Sequence, residues 1–143
     1  MHIKALIAVI TALDMTLAFK FEAGEVKDGV YAIKTDAAGK EYLEYIEAGN
    51  TTVPVALNER GAMNAKLCTG HALGHGQTDS ANNMPQNYCG GGNHYYSDKM
   101  VFVAGNVYVY TCDYAGGQVG FAGEAANANK GLTATCGQYG SGW

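Results

Sequence analysis

The chain is 143 residues long and carries 13 acidic against 9 basic side chains, a formal net charge of −4 at neutral pH. No block of Lys or Arg occurs, which weighs against a nucleic-acid groove or an anionic membrane surface as partner. Twenty glycines, ten tyrosines and only two prolines fit a tight, loop-rich domain, and the length suits one modest core.

The first predicted element covers residues 1–18. A basic start at Lys4, an apolar run from Ala5 to Leu13, and small residues at Thr16 and Ala18 form the pattern of a secretory signal peptide cut before Phe19. The run is too short to span a bilayer as a permanent helix, so no stable membrane insertion is expected. Lys4 and Asp14 leave together, which keeps the charge balance of the mature form. The expected product is a secreted, extracellular single domain over residues 19–143, with 19–27 as a flexible arm or short propeptide.

Val30 to Thr35 and Glu41 to Ile46 alternate in polarity around Asp36-Ala-Ala-Gly39, which predicts a β-hairpin. In the first run Val30, Ala32 and Lys34 oppose Tyr31, Ile33 and Thr35. In the second, Leu43 and Tyr45 oppose Tyr42, Glu44 and Ile46. A linker-like stretch, residues 48–66, contains Asn50-Thr51-Thr52, which makes Asn50 a candidate glycosylation site. Gly70 to Gly76 reads as a flexible loop. Asp79 is the expected N-cap of a short helix ending at Cys89, and Pro85 argues for a break or late start. Met100 to Val103 and Val107 to Cys112 form the clearest hairpin, around Ala104-Gly105-Asn106. Phe121, Ala125, Ala128 and Leu132 recur at helical spacing, with Gly131 as the expected cap and Leu132 to Cys136 as a final strand. The order predicts an α+β fold: a mainly antiparallel sheet with two helices on one face, stabilised by disulfides.

Cys68, Cys89, Cys112 and Cys136 are even in number in a chain read as secreted, which predicts two disulfides. Each would contribute roughly 3 kcal/mol on the chain-entropy account. Three pairings are open. No Cys-x-x-Cys pair occurs, and neither a metal nor another cofactor is called for. His71 and His75 are four apart, yet the glycines around them argue for a loop rather than a zinc-binding helix face. Cys89-Gly-Gly-Gly92 has the glycines of a phosphate loop without its Lys or Ser/Thr. Asp98, Asp113 and Glu124 are the carboxylates a hydrolase would use, but no spacing pairs them, and the reading leans away from an enzyme. His94, Tyr95, Tyr96, Tyr114, Tyr139 and Trp143 are the candidate binding surface, since such rings stack on sugars or pack on protein.

Several motifs together resemble the small secreted cysteine-containing proteins of filamentous fungi. They are the leader, Asp28-Gly-Val-Tyr31, a first Cys followed by a Gly-rich loop, Asp79-Ser-Ala-Asn before the second Cys, Gly105-Asn-Val-Tyr-Val-Tyr-Thr-Cys112-Asp-Tyr, Ala125-Ala, and Cys136-Gly-Gln-Tyr-Gly-Ser-Gly-Trp143. The last half of the chain also resembles the Ecp2 effector group, whose fold relates to the KP4 killer toxins. It departs from them in lacking a Gly-Thr-Cys strand end and in having fewer cysteines than a killer toxin. The resemblance implies a secreted fungal effector, with a role in virulence or competition, and no catalytic residue. The expected protein is a monomer that binds a host or competitor protein or a cell-wall glycan. A toxin is the alternative, weakened by the negative charge; a small glycan-binding protein or hydrolase is another.

Overall fold

In a computed structural model, the described residues are 26–52, 67–90, 93–94, 99–112 and 119–142. The leader, most of the arm and part of the linker-like stretch lie outside them, as do Tyr95, Tyr96, Asp98, Asp113, Tyr114 and Trp143.

The first hairpin forms where alternation places it. Strand β1 (Gly29–Thr35) pairs antiparallel with β2 (Glu41–Glu47). Asp36 closes the turn, its Oδ1 accepting the Ala38 and Lys40 amides at 2.9 Å each. The second hairpin, β5 (Lys99–Ala104) and β6 (Val107–Cys112), turns on Gly105 and Asn106. Gly105 has φ 57 while Asn106 stays negative, the sign pattern of a type II′ turn that needs Gly first. β1 also pairs with β5, so the two hairpins join as a four-stranded antiparallel sheet in the order β2-β1-β5-β6. Two short ribbons complete the strands. β3 (Cys68–Ala72) pairs with β8 (Gly140–Gly142), and β4 (Asn93–His94) with β7 (Val119–Gly120).

Alternation gives the sheet two apolar faces. Val30, Ala32, Met100, Phe102, Ala104 and Val107 turn toward helix α1 (His75–Cys89) and pack on its Ala81 and Met84. Tyr88 meets Phe102 edge-on, ring centroids 5.8 Å apart. The opposite face buries Tyr31, Ile33, Val101 and Val103, with Leu43 and Tyr108 beside them. Helix α2 (Ala122–Cys136) packs against α1 and the β3–β8 ribbon. A disulfide joins Cys68 at the start of β3 to Cys136 at the end of α2, with Cα atoms 5.4 Å apart. The disulfide-stabilised α+β fold expected from the residues is the fold found.

The helix boundaries correct the sequence reading. Asp79 is not a cap: α1 begins at His75 behind Gly74, whose carbonyl accepts the Thr78 amide at 2.9 Å and hydroxyl at 2.8 Å. Pro85 lies inside a continuous helix. Its missing N–H costs a bond to Ala81, and the loss is tolerated because the ring is buried against the core and the helix is held along its length. Gly131 is likewise interior, and residues 132–136 are helical rather than a strand. There Thr135 donates its hydroxyl to the Gly131 carbonyl at 3.0 Å, which lets a β-branched residue sit in the last turn. The cap is Gly137, at φ 85, and the closing strand is β8. Phe121 stands at the N-cap of α2, half-buried, not on its inner face.

Candidate functional site

The first turn of α1, the β5–β6 turn and the approach to β1 converge on one open cleft. Asp28, seventy-seven positions before Gly105 in the chain, accepts the Gly105 amide on its Oδ1 at 2.7 Å and ties the two segments together. The cleft has a volume near 390 Å³ and is lined by Asp28, His75, Gln77, Ser80 and the bare backbone of Gly76 and Gly105. Gln77 lies directly over Gly105, where a Cβ would strike its amide, so the glycine serves the turn and the cleft floor at once. A carboxylate, an imidazole, an amide and a hydroxyl therefore face one polar concavity.

His75, which lines the cleft, stacks on Tyr139 behind it. The His75 and Tyr139 rings lie 14° from parallel with centroids 3.9 Å apart. Tyr139 is the one non-glycine residue among those described with positive φ, at 65°. A tyrosine in the left-handed region is unfavourable and persists only when its surroundings fix it. Here its carbonyl accepts the Leu73 amide at 2.9 Å, its hydroxyl donates to Asp79 Oδ2 at 3.4 Å, and the Gln138 amide donates to that hydroxyl at 3.2 Å. The Cys68–Cys136 bridge holds the ribbon on which it stands.

On its other side Tyr139 lines a second hollow of about 250 Å³, with His71, Gln138 and Ser141. Ser141 donates its hydroxyl to the His71 carbonyl at 3.0 Å and also hydrogen-bonds Thr69. The imidazole of His71 takes no part in that contact, so the pair is not a nucleophile with its base.

Of the candidate binding surface, Tyr139 is placed here, and His94 lies on β4 opposite Val119. Tyr95, Tyr96, Tyr114 and Trp143 fall outside the described residues. Glu124 is exposed in the first turn of α2. His71 sits on β3 and His75 opens α1, so the two do not share a helix face. Among the described residues no group of three or more His, Cys, Asp or Glu side chains is arranged to hold a metal. No described helix is long and apolar enough to cross a membrane. Asp28, Gln77, Ser80 and Gly105 were not singled out from sequence as site residues, because pairing of distant segments alone brings them together.

No protein-family model, curated protein or solved structure matches the chain.

Proposed function

We propose that the protein is an exported, effector-like binding protein whose cleft beside His75 and Tyr139 recognises a hydroxyl-rich ligand, a cell-wall glycan of a host or competitor. The carrying observation is the left-handed Tyr139, held by four independent ties beside a polar concavity. Backbone strain retained at an exposed hollow is a mark of a site shaped for a ligand. Carboxylate, amide, imidazole and hydroxyl groups together match the donors and acceptors of a sugar, and a ring at the rim supplies a stacking surface. The leader, the Cys68–Cys136 bridge and the fungal resemblance support action outside the cell by recognition rather than catalysis.

The test is binding of soluble chitin, β-glucan and xylan oligosaccharides to wild type, His75→Ala and Tyr139→Gly. Tyr139→Gly relieves the positive φ, by of order 1 kcal/mol, against about the same lost in stacking, so it is expected to fold. Both variants are expected to lose at least about tenfold in affinity, the effect of removing one anchoring contact. Unchanged affinity in two folded variants contradicts the assignment, as does a wild type that binds no oligosaccharide and instead captures a protein.

A further inference from the structure

We propose that Asn50 carries an N-linked glycan, and that the fold moors this segment by its backbone so that the glycan stands at the end of α1 remote from the cleft. The proposal rests on the export reading above. Asn50 and Thr52 are exposed, and their side chains engage one another. Asn50 Oδ1 accepts the Thr52 hydroxyl at 2.7 Å and the Thr52 amide at 3.1 Å. That arrangement occupies the oxygen of the Asn50 side chain and leaves its nitrogen, Nδ2, outside those bonds.

The main chain is gripped by the polar face of α1. Asn87 Nδ2 donates to the Asn50 carbonyl at 2.8 Å and to the Thr52 carbonyl at 2.9 Å, and Asn83 Nδ2 donates to the Thr51 carbonyl at 3.1 Å. Gly49 is pressed on Met84 so closely that a Cβ would collide with its sulfur. Backbone inward and side chains outward is the arrangement that accommodates an oligosaccharide in the folded protein without displacing the core. Asn87 lies ten positions after Gln77, roughly 15 Å along the helix. A glycan there leaves the polar cleft open and marks the Asn83–Asn87 face as one that does not meet the target.

The step is a glycosyl transfer from a lipid-diphosphate-linked oligosaccharide, catalysed by the transferase of the secretory pathway. The Asn50 Nδ2 forms a bond to the anomeric carbon as the bond from that carbon to the diphosphate oxygen breaks. The lipid diphosphate leaves with the electron pair, and the amide proton passes to a base of the transferase.

The experiment expresses the full chain in a glycosylating yeast behind its own leader and, in parallel, behind a heterologous leader, and weighs secreted and retained product together. In the heterologous arm we expect a mass above that of the polypeptide by an oligosaccharide. Treatment with peptide N-glycosidase should return the polypeptide mass with Asn50 converted to Asp. Asn50→Gln and Thr52→Ala should each abolish the increment, and Thr52→Ser should keep it. Product of bare polypeptide mass in the heterologous arm overturns the proposal, as does an increment that survives both abolishing variants. A glycosylated product there beside an uncleaved, retained product from the native leader supports the Asn50 assignment and overturns the export reading instead.

Discussion

Tyr110 shows how one side chain reports on its surroundings. It ends a row that crosses the sheet through Tyr45, Tyr31 and Val101, each opposite the next in register. Partial burial of a side chain still 46% exposed, and secondarily the neighbouring Tyr108, push its hydroxyl up to about 12. Tyr31 is raised in the same direction, chiefly by burial and then by Tyr45, Asp28 and Tyr108. A phenol whose folded-state value is raised favours the folded form while it stays neutral. That contribution is complete below the ordinary value of 10.0 and is lost as pH climbs toward 12. Because solvent screens so exposed a group, unfolding midpoints are expected to fall modestly across that interval, and Tyr110→Phe should soften the fall. A variant whose alkaline profile overlays wild type would contradict the burial argument. The alternation of the first hairpin was legible in the sequence, whereas the pairing of Tyr31 with Tyr45 comes from the register of the two strands. The left-handed backbone of Tyr139 was not, because nothing local to Gln138-Tyr139-Gly140 demands it; the stack on His75 and the tie to Leu73 impose it from distant positions.

At the scale of elements, the hairpins were readable and the helix ends were not. β-branched and aromatic alternation in Met100 to Cys112 states its own register. Helix α1 opens on His75-Gly-Gln and contains Pro85, all weak local signals, and forms because Ala81 and Met84 lock into the sheet. α2 runs past Gly131 for the same kind of reason, with its end fastened to β3 by the disulfide. The keystone of the core is Phe102, which is fully buried between the sheet and α1. Phe102→Ala is expected to cost ~3–5 kcal/mol, while Phe121→Ala, at a half-buried cap position, should cost less. Denaturant melts with the bridge intact check the order. If Phe121→Ala proves the more damaging, α2 contributes more to the core than its described contacts indicate.

At the scale of the molecule, the Cys68–Cys136 bridge encloses both helices and the second hairpin. Closing a loop of 68 positions contributes about 4 kcal/mol on the chain-entropy account. Among the described residues this bridge is the one disulfide and the buried Cys89 is not in it, so the two bridges expected from the cysteine count are corrected to one. Peptide mapping of unreduced protein should recover the Cys68–Cys136 linkage, and a Cys68–Cys89 or Cys112–Cys136 peptide would contradict the packing of α2 on β3. Fold class followed from the residues, since each layer is built from local periodicity. The cleft did not, since Asp28 precedes β1, Gln77 lies in α1 and Gly105 in the β5–β6 turn, and they meet only when β1 pairs with β5. The role proposed for this meeting point is recognition of a glycan. The most direct measurement is an amide-resolved NMR titration of the isotopically labelled, disulfide-intact protein with chitin, β-glucan and xylan oligosaccharides. Saturable shifts centred on Asp28, Gly74 to Ser80, Gly105 and Tyr139 are expected. Shifts centred on the Tyr45 and Tyr110 face of the sheet, or none with any of the three, would contradict it.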